Sequence, residues 1–260
     1  MPHIPGGETY PEQWTQKATQ FRETMVSAGR AEIDLSYGPG ERNCWDLFLP
    51  ESNPRGLFVF IHGGYWMRFD KSSWSYVAAG PLAHGFAVAM PSYSLCPQVR
   101  IRDITREIGA AIEAVAARIA GPILLAGHSA GGHLVSRMLC ADTPLSSSTL
   151  GRIANTVSIS GVHDLRPLVP LELNATLHLD AEEAAAESPA LLEPAGEVNL
   201  VCWAGAAERS EFVRQNALLA NIWRGLRANT LCVEEPDRHH FSVVEGLANP
   251  ESPLMTTLMD

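Results

Sequence analysis

Short apolar runs separated by helix-length segments constrain this chain more than any other feature. Six runs have the length of strands and few polar residues; they span 57–61, 86–90, 122–126, 154–160, 198–203 and 230–234. Continuous apolar strands are typical of a sheet that is covered on both faces. Between them, apolar residues of 101–119 recur every three or four positions, as on one side of a helix. The alternation predicts an α/β fold with a mostly parallel, doubly wound sheet and helices on both faces.

The length of 260 residues suits one α/β domain. At its start we expect a helix over about 12–28, then a strand pair over 31–35 and 43–49 with a turn at Gly38-Pro39-Gly40. Residues 161–197 separate two predicted strands by more than a simple crossover needs. Such an excursion is typical of a lid or functional insertion, and the alternative is a surface helix and loop without a role.

Charge and cysteine content narrow the class of partner. The net charge of -10 argues against nucleic acid and against an anionic membrane surface, because both require a basic face. Five cysteines without a CxxC pattern indicate reduced thiols, and the first ten residues lack an apolar signal region. We therefore expect a cytoplasmic protein that binds a small molecule, and the sequence is compatible with a homodimer.

The segment Gly127-His128-Ser129-Ala130-Gly131 fits the pattern GxSxG. It follows the apolar run 122–126 and precedes a helix expected over 133–140. A sharp strand-to-helix turn exposes a serine hydroxyl, and it requires small neighbours. The alternative is a phosphate-binding turn, but the chain has neither GxGxxG nor a P-loop lysine. The pattern predicts that Ser129 is a catalytic nucleophile.

A second glycine motif, His62-Gly63-Gly64-Tyr65-Trp66, follows the apolar run 57–61. Backbone N–H groups held by such a loop stabilise the negative oxygen of a tetrahedral intermediate, and losing one raises the barrier by about 2.7–4 kcal/mol. We predict that the N–H groups of Gly63, Gly64 and Ala130 form an oxyanion hole. An ordinary glycine turn is the alternative, and His62 is interpreted as structural.

The general base should come late, because hydrolases that carry a GxSxG turn on an α/β sheet place their triad in the chain order serine, acid, histidine. His239 and His240 follow the last predicted strand, and His240 is preferred because Phe241 can pack beside its ring. His128 and His133 lie in or near the turn of residues 127–131, here called the elbow, and their spacing is not that of zinc ligands. We expect neither a metal nor a cofactor.

The acid should follow the strand at 198–203, where Glu208 is the first carboxylate. Its role would be to fix the tautomer of the histidine and to stabilise the imidazolium. Glu211 is placed in the next helix and is less favoured. Asp164, after the strand at 154–160, and Asp237, close to His240 along the chain, remain alternatives.

Several segments together resemble the α/β-hydrolase kynurenine formamidases (arylformamidases), a family close to HGG-containing bacterial esterases. They are residues 62–66, 127–134 and 160–165, Ser188-Pro189, Glu211-Phe212 with Arg214-Gln215, and His240-Phe241 with Glu245. The resemblance implies that Ser129, Glu208 and His240 are nucleophile, acid and base. Two departures are a Glu where that family more often has Asp, and Asn216 where Ser is expected.

The resemblance implies a serine hydrolase that cleaves an aryl formamide such as N-formylkynurenine, a step of tryptophan catabolism. A carboxylesterase for short acyl esters would use the same groups, and a non-catalytic binding protein on this scaffold is a third hypothesis. An aromatic leaving group needs apolar walls. Candidates are Tyr65, Trp66, Tyr93 and Phe241, each of which could equally be a core residue.

Overall fold

Eight strands form one sheet in the computed structural model, which describes residue 4 and residues 6–259. The strands are β1 (Ala31–Ser36), β2 (Cys44–Phe48), β3 (Leu57–Ile61), β4 (Ala87–Pro91), β5 (Ile123–His128), β6 (Ile153–Ile159), β7 (Asn199–Gly205) and β8 (Asn229–Glu235). Residues 1–3 and 5, which belong to the stretch predicted to lack a signal region, lie outside the described residues.

The strand order is β1-β2-β4-β3-β5-β6-β7-β8. Strand β2 runs antiparallel to β1 and β4, and the pairs from β4 through β8 are parallel. The sheet begins with β1 and β2, joined through the turn predicted near residues 38–40 and paired antiparallel, as the sequence indicated. The predicted mostly parallel, doubly wound sheet is confirmed.

Helices connect the strands. They are α1 (Tyr10–Ser27), α2 (Ala79–Ala83), α3 (Ile101–Ala116), α4 (Ala130–Arg137), α5 (Ser147–Leu150), α6 (Asn174–Leu177), α7 (Ala181–Ala186), α8 (Ser210–Arg224) and α9 (Pro253–Met259). Single 3₁₀ segments span Lys71–Ala78, Arg166–Leu168, Pro189–Leu191 and Val243–Ala248. No helix in the described part of the chain is both long enough and apolar enough to cross a membrane.

Both faces of the sheet are buried. In β3, Leu57, Val59 and Ile61 pack into one core cluster together with α3 and α4. The intervening Phe58 and Phe60 pack into a second cluster with α1 and α9. Because side chains alternate across a strand, an uninterrupted apolar run places large residues in two cores at once. This arrangement fixes β3 and its neighbours rigidly and makes their ends a firm support for a site.

The structure corrects one helix boundary expected from the sequence and shows how the excursion 161–197 is held. The helix expected over 133–140 begins earlier, at Ala130, because the turn at Ser129 feeds directly into it. The excursion 161–197 contains only short helical segments and is anchored, since Leu177 and Ala184 are fully buried and Glu187 accepts a 2.6 Å hydrogen bond from Thr105. Its interpretation as a lid stays a prediction.

Candidate active site

The carboxyl ends of the parallel strands meet along one edge of the sheet and carry the candidate site. The glycine motif follows β3, Ser129 follows β5, and Ser160 follows β6. Glu208 and His240 follow β7 and β8 in the same order across the sheet. In sheets of this type ligands bind outside the carboxyl ends of the strands. The topology thus brings together groups that lie up to 178 residues apart (His62 to His240).

Ser129 occupies a strained turn between β5 and α4, with φ 58° and ψ −115°. A non-glycine residue in this region costs on the order of 1–3 kcal/mol. The turn is so tight that a Cβ on Gly131 would lie 2.0 Å from the carbonyl oxygen of Ile61. A hydrogen bond of 2.8 Å from the N–H of Ser129 to Ile159 ties the turn to β6. The small residues of the motif are therefore required by packing.

Glu208 and His240 form a hydrogen-bonded pair. Nδ1 of His240 donates to Oε2 of Glu208 over 2.7 Å, and the carboxylate is fully buried. Its other oxygen, Oε1, accepts from Oγ of Ser160 at 2.5 Å and from the N–H of Gly205 at 2.8 Å. With the proton of the neutral ring held on Nδ1, Nε2 is the basic nitrogen. This is the tautomer that a general base for a serine requires.

The electrostatics of Glu208 favour its charged form. Burial by itself raises the pKa of this carboxyl group. Hydrogen bonds from His240, Ser160 and the N–H of Gly205, together with the positive charge that His240 can carry, more than offset that effect. The net pKa of Glu208 lies below its ordinary value, so the group is an anion at neutral pH.

The rival carboxylates have other partners. Asp164 forms two 2.9 Å bonds with the guanidinium of Arg166. Glu211 pairs with Arg214 through two bonds of 2.7 Å. Glu208 is thus the carboxylate that the fold brings to His240.

The second late histidine, His239, is committed to local structure. Its Nδ1 accepts from the N–H groups of Phe241 and Ser242, both at 3.2 Å. Its Nε2 therefore carries the proton and donates to the hydroxyl of Tyr10 in α1 over 3.1 Å. His239 holds the loop that presents His240 and ties it to the N-terminal helix.

Two rings support His240, and neither role was predicted from the sequence. Phe212 stacks on it at 4.1 Å between ring centres and 29° between planes. His128 lies 4.7 Å away on another side, and its Nε2–H donates to the carbonyl oxygen of His240 over 2.8 Å. Burial lowers the pKa of His128 to about 3, so this ring is neutral. Ser160 was also missed, because it acts on the imidazole only through Glu208.

The glycine motif lies directly against the elbow. A Cβ on Gly63 would be 2.7 Å from the carbonyl oxygen of His128 and 3.1 Å from Cβ of Ser129. Only a residue without a side chain allows the loop to approach Ser129 so closely. The contact places the backbone of Gly63 beside Ser129 at the start of α4, and its role in an oxyanion hole stays a prediction.

The rest of the motif makes a tight turn. Tyr65 and Trp66 have φ of 54° and 58°, and the N–H of Met67 donates to the carbonyl oxygen of Gly64 over 3.0 Å. These features define a type I′ turn, which normally carries Gly, Asn or Asp at its centre. Arg42 secures the loop by donating to the carbonyl oxygens of Phe69, at 2.5 Å, and of Tyr93, at 2.7 Å.

Of the four predicted wall residues, two face the site. Tyr65, 42% exposed, and Phe241 line the cavity beside Ser129. Trp66 and Tyr93 are fully buried and are not among the lining residues. The tight turn directs Trp66 into the core, where its ring meets His133 edge-on at 5.2 Å. Tyr93 follows β4, two strands from β5, and it stacks on His62 at 4.2 Å.

His62 has the structural role that the sequence predicted. Its Nδ1–H donates to the carbonyl oxygen of Gly63 over 2.7 Å, and its own carbonyl accepts from the hydroxyl of Tyr93 over 2.9 Å. Burial lowers the pKa of His62 to about 4. A neutral, buried ring that braces the loop cannot shuttle protons to the cavity.

A cavity of about 630 Å³ contains Ser129, Glu208 and His240 in its lining. Its walls are largely aromatic, from Trp14, Tyr65, Phe69, Trp74, Phe212 and Phe241. Met67 and Leu173 add apolar surface, and Leu173 is the contribution of the 161–197 excursion. Among the described residues, no group of three His, Cys, Asp or Glu side chains is arranged so that it could hold a metal ion. The arrangement suits acyl transfer from an aromatic substrate.

Comparison with known proteins gives the family. The profile described as "Alpha/beta hydrolase family" matches residues 58–255. The chain belongs to the alpha/beta hydrolase family. This hydrolase is 30% identical over 251 residues to the kynurenine formamidase of Drosophila melanogaster, covering 89% of this chain and 81% of that protein. The predicted resemblance to the arylformamidases is thereby confirmed.

Solved structures agree on the fold. A protein of Silicibacter sp. TM1040, provisionally described as a thioesterase, is 48% identical to this hydrolase with a TM-score of 0.94, over 99% of this chain and 95% of that one. A hyperthermophilic esterase from the archaeon Pyrobaculum calidifontis has a TM-score of 0.73 at 16% identity, over 97% of this chain and 92% of that one. At that identity the likeness concerns the fold alone.

Proposed function

We propose that this hydrolase cleaves aryl formamides, with N-formylkynurenine as the leading substrate, through a formyl-enzyme on Ser129. The observation that carries the proposal is the 2.7 Å bond between Glu208 and His240 beside the strained Ser129, all in one aromatic cavity. The similarity to kynurenine formamidases supports the choice of the formamide bond.

In the first half-reaction, Oγ of Ser129 attacks the formyl carbon and Nε2 of His240 takes the hydroxyl proton. The N–H groups of Gly63, Gly64 and Ala130 stabilise the negative oxygen that forms. The C–N bond then breaks, and His240 returns the proton to the departing aniline nitrogen. General acid–base transfer of this kind contributes about 10²–10⁴-fold. Glu208 stays ionised throughout and stabilises the imidazolium.

In the second half-reaction, water attacks the formyl ester. His240 takes one proton from the water, the Ser129 ester bond breaks, and His240 gives that proton to the serine oxygen. Formic acid leaves and loses its own proton to solvent as formate. The acyl side needs to hold only one hydrogen on the carbonyl carbon. The volume of about 630 Å³ and the aromatic walls therefore serve the leaving group.

A carboxylesterase for short acyl esters is the second candidate. It is favoured by the same cavity volume, which exceeds what a formyl group occupies and leaves room for a larger acyl chain. The provisional thioesterase description of the Silicibacter protein adds thioesters to the compounds worth testing. The three bonds use the same nucleophile and base.

The test compares kcat/KM on N-formylkynurenine, a p-nitrophenyl short-chain ester and a short-chain acyl thioester. We expect the formamide to be preferred, and a strong preference for either other compound would reject the arylformamidase assignment. Ser129→Ala should abolish all activities and labelling by a fluorophosphonate probe. Ser52→Ala, the same change at an exposed loop serine, is the matched control.

A further inference from the structure

Two arginines stand at the mouth of the cavity without an acidic partner. Arg68, from the loop after β3, and Arg209, from the loop after β7, both line the cavity and are exposed. Neither guanidinium makes an ion pair or hydrogen bond with another residue of the described ranges. By contrast, Arg214 and Arg166, which also lie near this edge of the sheet, pair with Glu211 and Asp164.

The charge at the mouth is opposite to that of the chain. The whole sequence has 29 acidic and 19 basic residues, for a net charge of -10. Of the described residues that line the cavity, Glu208 is the one carboxylate, and its charge is directed to His240. Two guanidinium groups therefore remain uncompensated. A cleft of one sign with low-dielectric walls attracts ligands of the other sign.

Further features of the mouth add to this potential. Helix α8 begins at Ser210, a lining residue, and no side chain caps its first N–H groups. The N-terminal end of a helix carries partial positive charge. Both guanidiniums also act on the hydroxyl of Tyr65: burial raises its pKa, and the charges of Arg209 and Arg68 oppose that rise. Tyr65, Arg68 and Arg209 are lining residues of the same cavity, and both charges act on the one phenol.

We propose that Arg68 and Arg209 bind a carboxylate on the leaving group of the substrate, so that the enzyme selects aromatic compounds that carry this carboxylate over those that lack it. The inference rests on the proposed function. A formyl group has only a hydrogen on its carbonyl carbon, so a carboxylate of the substrate must belong to the aromatic amine that leaves. N-formylkynurenine carries such a carboxylate in its amino-acid side chain. Guanidinium groups match carboxylates through paired N–H donors.

The test uses pairs of substrates that differ only in this charge. The first pair is N-formylkynurenine and the same compound with its carboxylate converted to a primary carboxamide. We expect the wild-type enzyme to prefer the carboxylate. Arg68→Gln and Arg209→Gln should each reduce that preference by about 5- to 20-fold, the effect of a charge-assisted bond at a partly exposed site. Arg209→Lys should retain part of it.

Two controls sharpen the result. Arg224→Gln removes the same charge at the far end of α8, from an exposed arginine outside the cavity, and should leave the preference unchanged. Added salt should lower the preference of the wild-type enzyme, because screening weakens exposed charge interactions. The preference is a ratio measured on one enzyme sample, so a loss of folded protein cannot imitate the expected change.

A second pair separates this inference from the proposed function. It consists of the acetate esters of 4-hydroxyphenylacetate and of 4-hydroxyphenylacetamide, which share the scissile bond and differ in the carboxylate as the first pair does. If the formamides are not cleaved, the arylformamidase assignment fails, and the ester pair still measures the selection for a carboxylate. The inference is overturned if the wild-type enzyme shows no preference in the pair that it cleaves. It is also overturned if Arg68→Gln/Arg209→Gln leaves the preference unaltered.

Discussion

Replacing the carboxylate of Glu208 by an amide tests the proposed mechanism most directly. In Glu208→Gln, the amide oxygen must occupy the position of Oε1, because the fixed N–H of Gly205 and the hydroxyl of Ser160 both donate there. The amide NH₂ group then faces Nδ1 of His240, where a carboxylate oxygen accepts a 2.7 Å bond in the wild type. Two donors cannot bond, so the ring must move its proton to Nε2.

The expected magnitude follows from that tautomer. A ring protonated on Nε2 cannot take the proton of Ser129, and the buried amide cannot stabilise an imidazolium. In a serine protease the corresponding change from acid to amide lowers kcat by about 10⁴. Because the site here has the same bonding pattern, we expect a fall of about 10³–10⁴ in kcat, or about 4–5.5 kcal/mol in the barrier.

The assay is kcat and KM for whichever substrate the wild type cleaves, with the rate of fluorophosphonate labelling of Ser129 as a second measure. Glu211→Gln is the matched control, because it makes the same change in an exposed carboxylate bonded to Arg214. Glu208→Asp keeps the charge and should retain more activity than the amide. Thermal unfolding shows whether each variant is folded.

The reasoning is refuted if folded Glu208→Gln retains more than about a tenth of the wild-type kcat. That result would mean that another group sets the tautomer of His240. It would return attention to Asp164 and Asp237, the other carboxylates considered from the sequence.

Three further predictions concern the loop, the core and pH. Gly63→Ala would place its Cβ 2.7 Å from the carbonyl oxygen of His128, so we expect kcat to fall by about 10²–10³ as an oxyanion donor is displaced, with KM little changed. Trp66→Ala should lower the free energy of unfolding by about 3–5 kcal/mol in denaturant titrations, because Trp66 is buried in the core. Tyr65→Ala should mainly raise KM, because Tyr65 is exposed in the cavity lining. Equal losses of stability in the two variants would contradict the core position of Trp66 and the cavity position of Tyr65. Burial lowers the folded-state pKa of four histidines below 6.5, namely His62, His128, His133 and His163. Because these rings have their ordinary pKa in the unfolded chain, the unfolded state binds more protons as the pH falls, and the free energy of unfolding decreases. From pH 7 to pH 5 the loss should be about 2 kcal/mol per histidine, and a flat profile in denaturant titrations would contradict it.

Periodicity and apolar runs predicted the sheet well, because a short continuous apolar run bounded by turn residues fits a strand that is buried on both faces. The predicted run 57–61 coincides with β3, and the elbow at Ser129 lies between a strand and a helix as expected. The start of α4 was misplaced by three residues, from His133 to Ala130, since a motif pattern does not show how tightly a turn closes.

The composition of the walls was harder to predict. Tyr65 and Trp66 are neighbours in one motif, yet one lines the cavity and the other is in the core. That outcome depends on a turn with two positive φ values, which is rare for aromatic residues and has no marker in the sequence. Phe212 and Ser160 support the candidate base only after β6, β7 and β8 are aligned, and such long-range alignment is not encoded in any local pattern.

The bond between Tyr10 and His239 joins residues 229 positions apart. Trp14 extends the contact by meeting the ring of Phe241 at 5.1 Å, and Lys17 pairs with Glu245. Helix α1 can therefore complete the cavity wall beside His240 only after β8 and the loop that follows it have folded. Contacts of such long sequence separation form slowly. Hydrolytic activity should consequently appear late in refolding, after most of the secondary structure. Its recovery would report that α1 has packed against the loop after β8.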